Sequence, residues 1–129
     1  MKTKTRAAGP TDFCLVLTPS AGAAGRASQA ILKRFEFVAE EIRRDLAAVV
    51  AELVHHSVER GARRPITVTI AMDADAIHGE VSDRGNPVVF GEMNGNGNGG
   101  GLSVLNQLTS RWGVHDGRTD AWFEIQLKR

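Results

Sequence analysis

Tyrosine is absent from this 129-residue chain, and aromatic residues make up only 5% of it. That scarcity removes the stacked ring platforms on which single-stranded nucleic acids are held. Neither sign of charge is in excess. Sixteen basic against fifteen acidic residues leave a formal net charge of +1, too little for electrostatic capture of nucleic acid or an anionic membrane. With one cysteine, Cys14, no intrachain disulfide can form. Its place in the apolar run FCLVL predicts a buried structural thiol in a reducing, cytoplasmic setting. Long apolar runs are missing too. The five-residue run that follows Lys2, Lys4 and Arg6 is too short for a signal segment. Nothing approaches the roughly 20 apolar residues of a membrane span.

What is present is about one domain's worth of chain. Residues 1–12 read as a flexible basic tail and residues 13–129 as a single domain. The stretch 40–60 organises the rest. Ile42, Leu46, Val49, Val50 and Leu53 fall on one stripe of an amphipathic helix, and Glu52, His56 and Glu59 form a polar line beside it. Gly61 and Pro65 then stop the helix. Before it, residues 13–17 read as a strand, and Ser20 as the N-cap of a helix reaching about residue 37. After it, the alternation of ITVTIAM predicts a strand over 66–72. A tight turn at Asp73, Ala74 and Asp75 leads to its hairpin partner over 77–82. Glycines and asparagines crowd the segment 88–98, helical spacing resumes over 102–112, and 114–116 with 121–127 close the chain as a hairpin. Strands this close in sequence leave no room for helical crossovers. The predicted fold is therefore α+β, a two-layer α/β sandwich with a mostly antiparallel mixed sheet and helices on one face.

Several polar and aromatic residues have an ordinary structural reading. His55 with Glu59, and Glu52 with His56, are i,i+4 pairs of a helix surface. Trp112 and Trp122, amid apolar neighbours, read as core, and Arg26, Arg34, Arg43 and Arg44 as solvated helix faces.

Three segments at element ends could share one job. Glu52 and His56 lie beside the buried stripe. Asp83, with Gly85, follows a strand as a strong acceptor beside a residue that lets a flat ligand approach. Gly99, Gly100, Gly101 and Leu102 lead into a helix, whose N-terminus offers unpaired N–H groups to an anion. These boxes, in this order, with Gly117 and Thr119 before the last strand, resemble the GHKL ATPase superfamily (HATPase_c type). The segment Ser110-Arg111-Trp112-Gly113-Val114 brings the resemblance nearest to the stand-alone anti-sigma-factor serine/threonine kinases.

That resemblance implies a Bergerat-type ATP-binding fold with ATP and Mg²⁺ as cofactors. Asp83 would accept a hydrogen bond from the adenine amino group, a contact of about 1.5–3 kcal/mol for a charged acceptor. Gly85 would let the ring close on the chain, and Thr119 would support it from the opposite strand. The backbone of Gly99, Gly100, Gly101 and Leu102 would hold the phosphates beneath a lid formed by 88–98. Glu52 would be the catalytic base that takes the proton of an attacking serine or threonine hydroxyl. His56 occupies the metal-ligand position, where the family carries an asparagine, and Asn86 and Pro87 fill the turn where the family has a second glycine. The implied function is an ATP-binding kinase that regulates a sigma factor through an anti-anti-sigma (STAS-type) partner, with no direct nucleic-acid or membrane contact. The resemblance also allows a homodimer. Magnesium favours oxygen ligands, whereas imidazole suits zinc, iron or nickel. His56 thus supports an alternative: a catalytically impaired or non-catalytic partner-binding module of the same fold, with weakened Mg²⁺ and nucleotide binding.

Overall fold

The computed structural model describes residues 12–83, 100–114 and 120–127. Strand β1 (Phe13–Leu17) leads to helices α1 (Ala23–Arg34) and α2 (Glu40–Glu59). The hairpin β2 (Ile66–Met72) and β3 (Ala76–Ser82) follows, then α3 (Gly100–Leu108), β4 (Arg111–Val114) and β5 (Ala121–Gln126). The five strands form one sheet in the order β1-β2-β3-β5-β4, with every pairing antiparallel. The fold is the predicted α+β two-layer sandwich. Among the described residues no helix is long and apolar enough to cross a membrane.

Period-2 alternation decides which face of the sheet is covered. Leu17, Ile66, Val68, Ile70, Ile77, Val81, Phe123 and Ile125 share the buried face and pack with the helices into one core. From α2 come Leu46, Val49, Val50, Leu53 and Val54, each worth about 1.5–3 kcal/mol when fully buried. Helix α1 contributes Ala23, Ala27 and Ile31, and Phe35, just past its end, meets Phe13 edge-on at 5.8 Å. Gly79 lies on this same face, opposite Phe123, and a Cβ there would overlap the Phe123 ring. The sheet can carry the ring at that place only because β3 has no side chain.

Tertiary contacts overrule local signals at several places. Ser20 does not cap α1: the N-cap is Gly22, and the Ser20 hydroxyl instead accepts a hydrogen bond from Arg26 at 2.9 Å. Helix α1 stops at Arg34 rather than near residue 37. Arg43 holds the connection to α2 by donating to the carbonyls of Glu36 and Val38, both at 2.9 Å. Arg34 likewise donates to the Asp12 carbonyl, and Arg44 pairs with Glu40, so the four arginines are committed to this chain's own groups. Helix α3 ends at Leu108 instead of 112. Thr109 returns its hydroxyl to the Leu105 carbonyl, and the Ser110 N–H donates to Glu124 across the sheet. Strand β4 therefore begins at Arg111, not at 114, because pairing with β5 offsets the loss of one helical turn. Cys14 is exposed rather than buried, since alternation along β1 turns Cys14 and Val16 away from the helices. Trp122 shares that uncovered face with Arg111 standing over its ring at 5.9 Å, while Trp112 packs against the core as expected.

Candidate functional site

The site is built at the C-terminal end of α2. Arg60 is the C-cap residue, Gly61 adopts φ +86°, and the Gly61 and Ala62 N–H groups close onto the carbonyls of Val58 and Ser57. This double closure satisfies the last carbonyls, and the left-handed residue it needs is a glycine. It also fixes the backbone from which Arg60 projects. Residues four apart stack on one helix face, so Glu52, His56 and Arg60 form a continuous line. Glu59 is not part of it: that residue is exposed and pairs with His55 at 3.6 Å.

Facing this line is the end of β3. Val81 points into the core, Ser82 points away, and Asp83 returns toward the helices with 3% of its surface exposed. Its Oδ2 lies 3.7 Å from Arg60 Nη2. One turn back, His56 Nε2 lies 3.1 Å from Glu52 Oε2, but without hydrogen-bond alignment, so this ring nitrogen is buried with no hydrogen-bond partner. Burial pulls His56 below its ordinary pKa, against the opposing pull of Glu52 and Glu59 and with Arg60 adding to the lowering. The imidazole is accordingly neutral at pH 7. Burial also lowers the Arg60 pKa, with Asp83 opposing, and the guanidinium stays charged throughout. The line thus reads carboxylate, neutral imidazole, guanidinium, and ends on a sheltered carboxylate.

Of the residues singled out from sequence, Glu52 and His56 therefore pair along the last turns of α2, and Asp83 lies against Arg60 at that helix's end. Gly100, Gly101 and Leu102 lie in the first turn of α3, a helix that packs on α2 and sends Leu105 into the core. Gly85, Gly99, Thr119 and the segment 88–98 lie outside the described residues. Arg60, which stands where the resembled family often has a histidine near the helix end, was not counted among the site residues. Its signal was present as the i+4 position after His56, but Gly61 directly behind it marked it only as the helix's last residue. Among the described residues no group of three His, Cys, Asp or Glu side chains gathers as a metal site.

A separate cleft of about 660 Å³ lies on the uncovered face of the sheet, lined in part by Cys14, Thr69, His78, Trp122 and Glu124. Three of its polar side chains are paired: Arg111 meets Glu124 through Nε at 2.9 Å and Nη2 at 2.7 Å, and His78 meets Asp73, beside the cleft, at 3.3 Å. The sheet separates it from the α2 line. The buried, charge-bearing groups mark the helix-side location as the stronger chemical candidate.

No protein-family model matches the sequence, and no curated protein matches it. Solved structures do. One is the crystal structure of the RsbU and RsbW domains of Rv1364c from Mycobacterium tuberculosis, with a TM-score of 0.67 at 17% sequence identity. The likeness is one of fold. It covers 89% of this chain but only 31% of that one.

Proposed function

We propose that this chain is an adenine-nucleotide-binding regulator of the anti-sigma kind, acting on a sigma factor through an anti-anti-sigma partner. The observation that carries this reading is the buried Asp83 carboxylate facing the same end of α2 that bears Glu52 and His56. A sheltered carboxylate accepts from an amino group far better than an exposed one, because water competes less for it. Asp83 would read the adenine amino group, with Gly85 and Thr119 completing the base site. Gly99, Gly100, Gly101 and Leu102 would offer N–H groups to the phosphates where α3 begins. Glu52, about a quarter exposed, is sheltered yet reachable, as a base receiving a hydroxyl proton must be. The likeness in fold to a protein that contains an RsbW domain supports the regulatory setting.

ATP would supply the transferable phosphoryl group. The donor set beside it does not fit magnesium. His56 offers an imidazole nitrogen where Mg²⁺ takes oxygen, and Glu52 is the only carboxylate near that ring nitrogen among the described ion pairs. No step is therefore assigned to a metal, and this misfit favours a second reading. In it the fold binds nucleotide and partner but transfers phosphate poorly or not at all.

One experiment separates the two readings. The protein is incubated with ATP, each of several divalent metals and a STAS-type partner, and the partner is weighed. A single added phosphate that disappears in Glu52→Gln supports the kinase. No transfer with any metal, together with tight partner binding, leaves the non-catalytic module. A His56→Asn variant should then gain Mg²⁺-dependent nucleotide affinity.

A further inference from the structure

We propose that Glu52 and His56 chelate a borderline-soft divalent cation, zinc above all, between the carboxylate and the ring nitrogen. The inference uses two residues of α2 and does not depend on nucleotide binding. Side chains four apart stand on one helix face, and that is the spacing by which a helix presents two ligands to zinc. Glu52 and His56 have this spacing, and they already bring one oxygen and one nitrogen together.

The separation of the two donors fits a shared ion. Zinc lies about 2.0–2.1 Å from an imidazole nitrogen and about 2.0–2.2 Å from a carboxylate oxygen. Two such donors 3.1 Å apart subtend roughly 90–100° at one ion, an angle suited to a zinc that keeps water beside its protein ligands. A hydrogen bond does not account for the approach, since Nε2 of His56 is buried and makes none. A buried ring nitrogen without a partner is costly, and bonding to a cation would remove that cost. Nε2 is itself closed to solvent, so the ion arrives by way of Glu52, whose side chain is 24% exposed. Of the other charges that act on His56, Glu59 favours a cation there and Arg60 opposes it.

Two protein donors are fewer than the three or four of catalytic and structural zinc sites, so water or a ligand's oxygen fills the other positions. The same helix carries its own control. His55 and Glu59 share the spacing at 3.6 Å, but their side chains are 53% and 62% exposed against 25% and 24% for His56 and Glu52. Holding the exposed pair in one geometry costs more side-chain freedom, and water competes for both groups. Zinc should therefore choose the sheltered pair. An ion on the Glu52 carboxylate also occupies the group that transfer would use as its base, so an occupied pair favours the non-catalytic reading.

The test is calorimetric titration of zinc chloride, with magnesium chloride as the contrast, into the full chain and four variants: Glu52→Gln, His56→Asn, His55→Ala and His78→Ala. One zinc should bind the wild type. Glu52→Gln and His56→Asn should each weaken it about tenfold or more, since losing even an outer-shell partner costs about 10–100-fold. His55→Ala and His78→Ala should leave the affinity unchanged, and Mg²⁺ should not compete, for want of oxygen ligands. The wild type gives a second readout that needs no variant to fold: in ¹⁵N spectra, zinc should shift Nε2 of His56 before any nitrogen of His55 or His78. Zinc affinity unchanged in folded Glu52→Gln or His56→Asn overturns the proposal. So does a first shift at His55 or His78, or no binding to the wild type. None of these results involves Asp83, so nucleotide binding stands or falls separately.

Discussion

Separating Arg60 from Asp83 should cost more than an ordinary surface substitution. Asp83 is 3% exposed and Arg60 21%, so removing one charge takes a close counter-ion from the other in a poorly hydrated place. Breaking a fully buried pair typically costs 3–5 kcal/mol. The partial exposure of Arg60 lets water recover some of that, which brings the expected loss for Asp83→Ala to about 2–3 kcal/mol. Arg60→Met should cost at least as much, because the group that loses its counter-ion is then the more deeply buried carboxylate. Together the substitutions leave no charge unpaired, so the double variant should be less destabilised than the sum by about 1–3 kcal/mol. Urea unfolding of the four proteins, with unchanged slope as the check on two-state behaviour, measures this coupling. Additivity within about 0.5 kcal/mol would show that the two groups do not interact, and the description of this end of α2 would be wrong.

Other outcomes follow from the same packing. Gly79→Ala should lose about 1–3 kcal/mol by forcing the Phe123 ring out of place, and adding Phe123→Leu should recover part of it; both are read by urea unfolding. His56 is held neutral below its ordinary value of 6.5, so the unfolded chain binds this proton at a pH where the folded chain does not. His56 should therefore make stability fall as pH drops below about 6.5 and add no slope above it, a dependence that His56→Asn removes in pH-resolved unfolding. Asp73 gives a slope of the same sign at lower pH, from hydrogen bonding rather than burial. The backbone N–H groups of Asp75 and Ala76 hold its carboxyl below the usual range, so its contribution is present above that range and is lost as acid protonates it. Asp73→Ala should flatten that acid limb. Cys14 should react with a thiol reagent in the native protein at close to the rate of a free thiol, whereas a buried thiol would react only on unfolding.

The parts of the fold that periodicity governs were legible in the sequence. The stripe of α2, the alternation of ITVTIAM and the stop at Gly61 each specify one element with little outside help, and each is found where expected. What sequence could not supply were choices made by partners far along the chain. Nothing local says that Ser110 will pair with Glu124 and end a helix early, or that edge strand β1 will turn Cys14 outward. Nor does anything local say that Gly79 leaves the room the Phe123 ring occupies. The site divides the same way. Glu52 and His56 share a helix face by spacing alone, and Asp83 was marked by its place after a strand. Its pairing with Arg60 depends on where β3 ends relative to α2, which only the packed structure fixes.

The central claim is that the sheltered carboxylate at the end of β3 receives a purine amino group. Titration of ATP and ADP into the wild-type protein and into folded Asp83→Ala, with calorimetric detection, tests it most directly. The account predicts saturable binding to the wild type and a loss of about tenfold or more in the variant, corresponding to a charged contact of roughly 1.5–3 kcal/mol. Equal affinity of the two proteins for ATP, or no heat from either, would contradict it.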